Sequence, residues 1–520
     1  MPIKTPTFGK WASLPTLFLL CTFTTTAFAK SDAETNGASP GEGLPGIREL
    51  VTTHHRVTIG GREIAYTAKA GLLTLKDHRE GSERADIFFV AYVKDGTDPE
   101  TRPLTFSFNG GPGSSSVWLH MGVLGPRRVL LDDEGFALPP PHRLVDNEFS
   151  LLDESDLVFI DPVSTGFSRA TDAEKEKAFH GLNEDVEAVG DFIRRYVTEF
   201  ERWSSPKFLI GESYGTTRAA ALSLHLQQRH GMYLNGIMLV SAVLDFATIR
   251  YSEDNDLPFV LFLPSMAATA WFHKRLAPDL QVLTLAELLK EAEAFAGGPY
   301  RAALFAGDAL PEDEHAAVAA RLAALTGLDG ETVLRHRLKP TVFHFFGALR
   351  EDEGLRVGRF DGRYAGVAPL PFQSGGGGIH FDPSYAQIFG AYSATLNDYI
   401  RRELNFKTYL PYEILTNVWP WNFGDEFSTR YVNVGPRLRD AMVMNPFLRV
   451  HVCSGYYDLA TPYWAMDYTL DRLFLHPDLR NNIEVAYYEA GHMMYTVLSE
   501  LERQKENLAR FVRSASAQEP

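Results

Sequence analysis

Apolar and polar residues alternate along the chain so that short strand-like runs are followed by helix-like segments. Runs of β-branched and aromatic residues predict strands, and apolar residues that recur every three or four positions predict helices. The predicted strands are residues 56–59, 62–66, 85–93, 104–108, 157–160, 207–210, 236–243, 448–452 and 483–487. The predicted helices include residues 186–197, 216–228 and 495–512. This order indicates an α/β fold with a mostly parallel, doubly wound sheet.

The pattern changes between residues 247 and 385, where Ala and Leu recur with helical spacing and strand signals are sparse. One helix start is marked by Thr284 with Glu287 three residues later, which is the spacing of a capping box. Residues 373–378 end in a run of glycines and are typical of a surface loop. We therefore predict a mainly helical insertion, a lid, over the functional edge of the sheet. The predicted domains are residues 48–246 and 386–520 for the two parts of the core, with residues 247–385 as the insertion.

The first 29 residues have the features of an export signal. Lys4 and Lys10 are followed by an apolar run over residues 14–23, and Ala-Phe-Ala at 27–29 is typical of a cleavage site. Residues 30–47 are polar and predict a flexible leader. Cleavage would leave Cys453 as the remaining cysteine. An exported protein without an intramolecular disulfide suggests the bacterial periplasm first and secretion second, and an uncleaved anchor is the alternative.

Composition and charge narrow the classes of partner. The chain has 520 residues, 45% of them apolar, and a formal net charge of −16. Binding nucleic acid or an anionic membrane requires basic clusters, so we expect neither partner. No stretch after the signal reaches about 18 apolar residues, which argues against stable membrane insertion after cleavage. The oligomeric state is left open by the sequence.

The sequence Gly-Glu-Ser-Tyr-Gly at residues 211–215 lies between a predicted buried strand and a predicted helix. A serine in this context occupies a sharp turn, and its neighbours two positions away must be almost free of side chain. The turn holds the hydroxyl clear of the sheet. It also directs the N-terminus of the helix at any negative charge that forms beside it. We interpret Ser213 as a nucleophile.

A nucleophilic serine needs a base, and the base needs a carboxylate to orient it. In a doubly wound hydrolase both follow later strands, in the order acid and then histidine. Asp458 follows the strand at 448–452 and His492 follows the strand at 483–487, each beside a glycine. His344 and His380 fall in or near the insertion and are weaker candidates.

An acyl-transfer intermediate also needs two N–H donors for its oxyanion. One is expected from Tyr214, and the other from the glycine-rich loop at 109–116 after the strand at 104–108. The rival interpretation of this loop is a phosphate cradle, but no Gly-Lys-Ser/Thr follows it and the dinucleotide spacing fails. The chain has no His-Glu-x-x-His or Cys-x-x-Cys, so the chemistry requires no metal, and we expect no cofactor.

Five sequence blocks together resemble the serine carboxypeptidase family. They are residues 109–116, 161–168, 211–215, 455–462 and 491–493, in the order found in that family. They span the chain from about residue 104 to 494, and five blocks in order are far more specific than any one of them. The resemblance implies an α/β-hydrolase fold with a helical insertion. It also implies release of C-terminal residues from peptides that have a free C-terminal carboxylate, without metal or cofactor.

The resemblance also implies roles for individual residues. For hydrolysis these are Ser213 as nucleophile, His492 as base and then acid, Asp458 as its orienter, and the backbone of Gly111 and Tyr214 as the oxyanion hole. For substrate binding they are Asn109 and Glu212, which match positions that hold the terminal carboxylate, together with Gly110, and Met493 in the pocket of the leaving residue. Two carboxylates repel, so we expect KM to rise as Glu212 ionises and cleavage to favour mildly acidic pH.

The chain departs from the family pattern at the carboxylate-recognition network. Ser107 stands where the family commonly has tryptophan, and Val123 where it commonly has glutamate. Arg127 or Arg128 is a possible substitute partner for a carboxylate, although surface charge is the simpler interpretation of both. Two other functions therefore stay open beside the carboxypeptidase. One is an esterase or acyltransferase with the same three residues, and the other is a binding protein that has lost the chemistry.

Overall fold

A computed structural model describes residues 46–368, 381–424 and 431–517. Its strands are β1 (Ile47–Ile59), β2 (Arg62–Lys76), β3 (Glu83–Lys94), β4 (Leu104–Phe108), β5 (Arg127–Val129), β6 (Leu144–Asp146), β7 (Asp156–Ile160), β8 (Arg169–Ala170), β9 (Lys207–Glu212), β10 (Gly236–Val240), β11 (Leu355–Val357), β12 (Ala365–Val367), β13 (Arg449–Gly455) and β14 (Ile483–Tyr488). Its α-helices are α1 (Val117–Leu119), α2 (Leu182–Glu199), α3 (Tyr214–His230), α4 (Leu257–Leu261), α5 (Leu263–Phe272), α6 (Pro278–Gln281), α7 (Leu285–Phe295), α8 (Arg301–Ala306), α9 (Glu312–Thr326), α10 (Gly330–Arg335), α11 (Val342–Ala348), α12 (Pro383–Arg402), α13 (Gly435–Met444), α14 (Tyr463–Leu470), α15 (Pro477–Arg480) and α16 (Leu498–Ser516).

The main sheet has the strand order β1-β2-β3-β7-β4-β9-β10-β13-β14, with β8 paired to β3. The strands from β1 to β7 along this order pair antiparallel, and those from β7 to β14 pair parallel. The carboxyl ends of β4, β9, β10, β13 and β14 therefore lie along one edge. This is the α/β-hydrolase fold, and the predicted fold class is confirmed.

Both faces of the parallel half are covered by helices. Every residue of β4, β7, β9 and β10 is buried, which explains their continuous apolar sequences. Alternate residues of one strand point to opposite faces, so Leu209 packs with residues of α2, α3 and α13, whereas Phe208 and Ile210 pack with α12 and α16. The two apolar layers hold the strands between them, and therefore also the positions of the strand ends.

The strands of the antiparallel part are longer than their sequence pattern predicts. The hairpin predicted over residues 56–66 is the end of a ribbon whose strands β1 and β2 have 13 and 15 residues. Much of β1 alternates between partly buried and exposed positions, so the apolar signal that marks a strand is weak there. The predicted strand at 236–243 ends earlier, at Val240, because the chain turns at Ser241 with a φ of 50°.

Residues 257–348 form the helices α4 to α11, which share an apolar cluster of their own. The capping box at Thr284 is present, with hydrogen bonds in both directions between Thr284 and Glu287. A small antiparallel pair, β11 and β12, follows these helices and was not predicted. The helix α12 begins within the predicted insertion but packs with the core of the sheet. The division into core and insertion domains stays a prediction.

The predicted signal at residues 1–29, the glycine-rich loop at 373–378 and His380 lie outside the described residues. So does most of the predicted leader at 30–47, of which residues 46 and 47 are described, with β1 beginning at Ile47. Within the described ranges, no helix combines the length and the apolar character that crossing a membrane requires. Cys453 is a free, buried cysteine.

A buried ion cluster at the start of β7 provides a test of what stabilises this sheet. The Asp156 carboxylate accepts hydrogen bonds from Arg102 Nε at 3.2 Å and Arg202 Nη1 at 2.7 Å, and all three side chains are buried. We expect Asp156→Ala to lower the free energy of unfolding by about 3–5 kcal/mol, because it leaves two arginine charges buried without their partner. Urea denaturation measures this change.

The matched control is Asp146→Ala, which breaks an ion pair between Arg127 and the exposed Asp146. Its expected cost is at most about 1 kcal/mol, since water screens the pair. Equal losses in the two variants would contradict a structural role for the buried cluster.

Candidate active site

Ser213 lies at the junction of β9 and α3 in a backbone conformation that few residues adopt. Its φ is 60° and its ψ is −128°, and its N–H donates to the carbonyl oxygen of Val240 at 3.0 Å. A Cβ atom at Gly211 would collide with the carbonyl oxygen of Gly215, and one at Gly215 would lie 2.9 Å from the carbonyl oxygen of Phe108. The two glycines are therefore required by close backbone packing. The turn presents the half-buried Ser213 at the N-terminus of a 17-residue helix.

Asp458 and His492 meet beside this turn. Asp458 follows β13, His492 follows β14, and His492 Nδ1 lies 2.7 Å from Asp458 Oδ2. Both side chains are buried. The other carboxylate oxygen of Asp458 accepts from the N–H groups of Ala460 at 2.7 Å and Thr461 at 2.9 Å. With its oxygens occupied in this way, Asp458 holds the imidazole in one orientation.

The charge of Asp458 affects the proton affinity of His492. Burial lowers the pKa of His492, but the charge and hydrogen bond of Asp458, with a contribution from Glu212, outweigh burial and raise it. Such an imidazole accepts a proton more readily than a free one. It is therefore suited to act as a general base.

A short segment at residues 359–363 binds the loops that carry Asp458 and His492. The carbonyl oxygen of Phe360 accepts from the His492 N–H at 2.6 Å, and the Asp361 carboxylate accepts from the Gly491 N–H at 3.0 Å. The carbonyl oxygen of Arg359 accepts from the Leu459 N–H at 3.1 Å. No local sequence pattern indicates these contacts, since they join the predicted insertion to two loops that are distant along the chain.

The glycine-rich loop after β4 packs on the turn at Ser213. A Cβ atom at Gly110 would lie 2.5 Å from the Tyr214 nitrogen, so only glycine fits there. Gly111 has a φ of 99° and lines the same cavity as Ser213. Tyr214 is the first residue of α3, where backbone N–H groups have no partner within the helix. Gly111 and Tyr214 thus lie beside Ser213, and the oxyanion hole that they would form stays a prediction.

A buried ion pair lies beneath this loop. Arg218 Nε donates to Asp185 Oδ2 at 2.7 Å, and Arg218 Nη1 donates to the carbonyl oxygen of Asn109 at 2.6 Å. Both side chains are buried. The pair anchors the loop to α2 and α3, and sequence analysis missed it because the three residues belong to separate elements.

Glu212 is buried, and its neighbours differ from those that the family pattern suggests. Tyr495 donates its O–H to Glu212 Oε2 at 2.5 Å. Burial raises the pKa of Glu212 to about 7, against the opposing effects of His492, Tyr495 and Asn109. Asn109 Nδ2 is also buried and lies close to the Glu212 carboxyl, outside the geometry of a regular hydrogen bond. Val123 is a buried apolar residue, and the hydroxyl that contacts Glu212 comes from Tyr495.

Seven of the predicted site residues line one cavity of about 450 Å³. Asn109, Gly110, Gly111, Glu212, Ser213, His492 and Met493 line it. Trp118, Arg359, Phe360, Tyr385 and Trp419 complete much of the wall, and none of them was predicted. The structure therefore brings the candidate nucleophile, base and carboxylate-binding residues to one space.

Other sequence candidates have structural roles instead. Arg127 pairs with Asp146 and Glu403, and Arg128 pairs with Glu148. His344 completes a capping box with Thr341 at the start of α11. Ser107 is buried within β4, and its hydroxyl has no hydrogen-bond partner in the described part of the chain. Over the same residues, no group of three or more His, Cys, Asp or Glu side chains could hold a metal ion.

The strand order and the turn at Ser213 define the class as α/β-hydrolase, and comparison with known proteins shows which family a part of the chain resembles. Residues 62–263 match the family model of the serine carboxypeptidases. The family resemblance inferred from the sequence blocks is thereby confirmed.

Individual relatives match over parts of their length. The chain is 28% identical over 197 residues to serine carboxypeptidase-like 45 of Arabidopsis thaliana, a match that covers 36% of this chain and 39% of that protein. It is 31% identical over 173 residues to the pheromone-processing carboxypeptidase of Komagataella phaffii, covering 33% of this chain and 24% of that protein. The chain thus spans well under half the length of these relatives.

Among solved structures, a proline iminopeptidase from Mycobacterium smegmatis aligns with 86% of this chain. The alignment covers 98% of that protein at 14% identity, with a TM-score of 0.34. The fold assignment rests on the strand order described above.

The contact between His492 and Asp458 predicts the effect of removing one charge. We expect Asp458→Asn to lower the pKa of His492, because the neutral amide no longer stabilises the imidazolium while burial still opposes it. Titration of isotopically labelled histidine by NMR measures this pKa, and His492→Gln identifies the signal.

The control is Asp467→Asn, which alters a carboxylate that accepts from Tyr487 at 2.8 Å. It should leave the His492 titration unchanged. A His492 pKa that stays the same or rises in Asp458→Asn would contradict the electrostatic role of Asp458.

Proposed function

We propose that this protein is a serine-type carboxypeptidase that releases C-terminal residues from peptides through an acyl-enzyme. The observation that carries the proposal is the buried His492–Asp458 contact on the wall of a cavity that also holds Ser213 and Glu212. The family match supports the same activity.

The first half of the reaction forms the acyl-enzyme. His492 Nε2 accepts the proton of the Ser213 hydroxyl as its oxygen bonds to the carbonyl carbon of the last peptide bond. The N–H groups of Gly111 and Tyr214 donate to the oxyanion of the tetrahedral intermediate. The carbon–nitrogen bond then breaks, and His492 gives its proton to the departing amine.

The second half repeats these steps with water. His492 takes a proton from the water molecule while the water oxygen attacks the ester at Ser213. Collapse of the second intermediate breaks the ester bond, and the proton on His492 returns to the Ser213 oxygen. Asp458 stabilises the imidazolium in both halves and holds its ring in place.

Recognition of a terminal carboxylate is assigned to Asn109 and Glu212. The Asn109 Nδ2 group is a buried donor beside Glu212, and Asn109 lines the cavity wall. A protonated Glu212 donates a hydrogen bond to a carboxylate, whereas an ionised one repels it. Met493, also in the wall, provides an apolar contact for the side chain of the leaving residue.

A second candidate is an esterase or acyltransferase that uses the same three residues. Ser107 and Val123, two departures from the family pattern, favour it because they remove polar groups from the carboxylate-recognition network. An acyl-enzyme passes its acyl group to an alcohol or amine as well as to water. For the cellular site, we propose export to the periplasm, which the predicted signal supports.

A time course on an unstructured peptide tests the main proposal. We expect residues to be released one at a time from the C-terminus, read by mass spectrometry. Ser213→Ala should reduce the rate by a factor of about 10⁴ or more, since the nucleophile is lost.

The same peptide with an amidated C-terminus is the control substrate. It should be cleaved much more slowly, because it carries no carboxylate for Asn109 and Glu212. Equal rates on the free-acid and amidated peptides would indicate a broad amidase or esterase instead of a carboxypeptidase. No reaction with either, or unchanged activity in Ser213→Ala, would contradict the proposal.

The position of Glu212 predicts a pH dependence. For a free-acid peptide, kcat/KM should fall as pH rises through about 7, because Glu212 then ionises and KM increases. The hydrogen bond from Tyr495 lowers the pKa of Glu212, so Tyr495→Phe should move this fall to higher pH. Initial rates between about pH 5 and 9 measure both effects.

Tyr300→Phe is the matched control, since it removes another buried hydroxyl, which donates to the Leu338 carbonyl oxygen. Its profile should coincide with that of the native protein. If KM did not depend on pH, or if kcat/KM fell at the same pH in Tyr495→Phe as in the native protein, Glu212 would not contact the terminal carboxylate of the peptide.

A further inference from the structure

Arg359 places a positive charge in the wall of the cavity that Ser213 also lines. The side chain is half-buried, and its guanidinium lies over the Phe360 ring, 5.1 Å from the centroid. Among the described residues, no carboxylate oxygen lies within 4.0 Å of this guanidinium. A cation in a binding cavity without such a partner is available to an anionic ligand.

The two carboxylates that influence Arg359 most form their hydrogen bonds with groups other than its guanidinium. Asp382 caps α12, where it accepts from the Ser384 N–H at 2.9 Å and the Ser384 hydroxyl at 2.6 Å, and it also accepts from the backbone N–H of Arg359 at 3.2 Å. Asp458 accepts from Ala460 and Thr461 and contacts His492. Neither forms a hydrogen bond with the Arg359 side chain, so its five N–H donors point to no protein acceptor within the described residues.

A second arginine extends this positive region. Arg250 lines a neighbouring cavity of about 570 Å³, and its guanidinium lies over the Phe246 ring at 5.7 Å. Trp419 lines both cavities, so they share a wall. Loss of hydration and the charge of Arg359 both lower the pKa of Arg250, as expected for neighbouring cations. Arg250 likewise has no carboxylate partner in the part of the chain that the structure describes.

We propose that Arg359, assisted by Arg250, forms an anion-binding subsite that selects peptides with an acidic side chain on the acyl side of the scissile bond. This inference rests on the proposed function, which places the leaving residue against Asn109 and Glu212. Arg250 lies in the cavity on the other side of Trp419, which Asn109 and Glu212 do not line. Aspartate or glutamate as the penultimate residue fits a cationic site flanked by Phe246 and Phe360.

Chromogenic esters test the subsite without a free C-terminal carboxylate. The p-nitrophenyl esters of N-acetyl-glutamate and N-acetyl-glutamine differ at the acyl side chain by one charge. We expect kcat/KM to be about tenfold higher for the glutamate ester, the size of effect given by a hydrogen-bonded ion contact. In Arg359→Gln the ratio should fall to near one, and Arg250→Gln should lower it by a smaller factor.

Two further variants separate loss of the charge from damage to the fold. Arg359→Lys keeps the charge and should retain part of the preference, although it loses the planar donor fork. Arg356→Gln removes a nearby arginine that stacks on Phe346 and does not line the cavity, so the ratio should stay at its native value. The rate of fluorophosphonate labelling shows whether each variant retains a reactive serine.

Peptide substrates then show on which side of the scissile bond the acidic side chain is recognised. A free-acid peptide with penultimate glutamate should be cleaved faster than its glutamine analogue, and glutamate as the leaving residue should give no such gain. The proposal would be overturned if glutamate and glutamine peptides were cleaved at equal rates at both positions. It would also be overturned if glutamate increased the rate only as the leaving residue. Failure of the proposed function itself is distinguishable, because the free-acid peptides would then show no C-terminal cleavage, or no advantage over their amidated forms, whatever the ratio of the two ester rates.

Discussion

The turn at Ser213 is the constraint on which the rest of the site depends. Its backbone is held at a positive φ, and its two flanking glycines touch the neighbouring backbone so closely that no side chain fits. Strain of this kind persists only where the surroundings determine the conformation. Here β4, β9, β10 and the N-terminus of α3 do so together, and they leave the serine facing a cavity.

The other candidate groups are positioned by contacts that join the loops after the strands to residues 359–363. His492 and Asp458 stand on loops after neighbouring parallel strands, so the fold alone brings them near Ser213. Their orientation depends on residues 359–363, whose backbone and carboxylate bind both loops. The same segment carries Arg359 into the cavity. One short stretch thus contributes to the geometry of the base and, as proposed, to the choice of substrate.

Sequence reasoning located those parts of the site that short local patterns encode. These parts are the turn at Ser213, the glycine-rich loop at 109–116, Asp458 and His492. Each of them follows a strand and has glycines beside it. Tyr495 and Arg359 were not found, because no local pattern relates them to their neighbours in the cavity. Tyr495 is 283 positions from Glu212, and only the fold brings them together. The length of β1 and β2 was also missed, since β1 alternates between exposed and partly buried residues along much of its length.

Chemical labelling of the native protein tests the central claim most directly, namely that the fold makes Ser213 nucleophilic through His492. After reaction with a fluorophosphonate, peptide mapping by mass spectrometry should find one phosphonyl group, on Ser213, and His492→Gln should label far more slowly. An unmodified protein, a group on another residue, or labelling that does not depend on His492 would contradict the account.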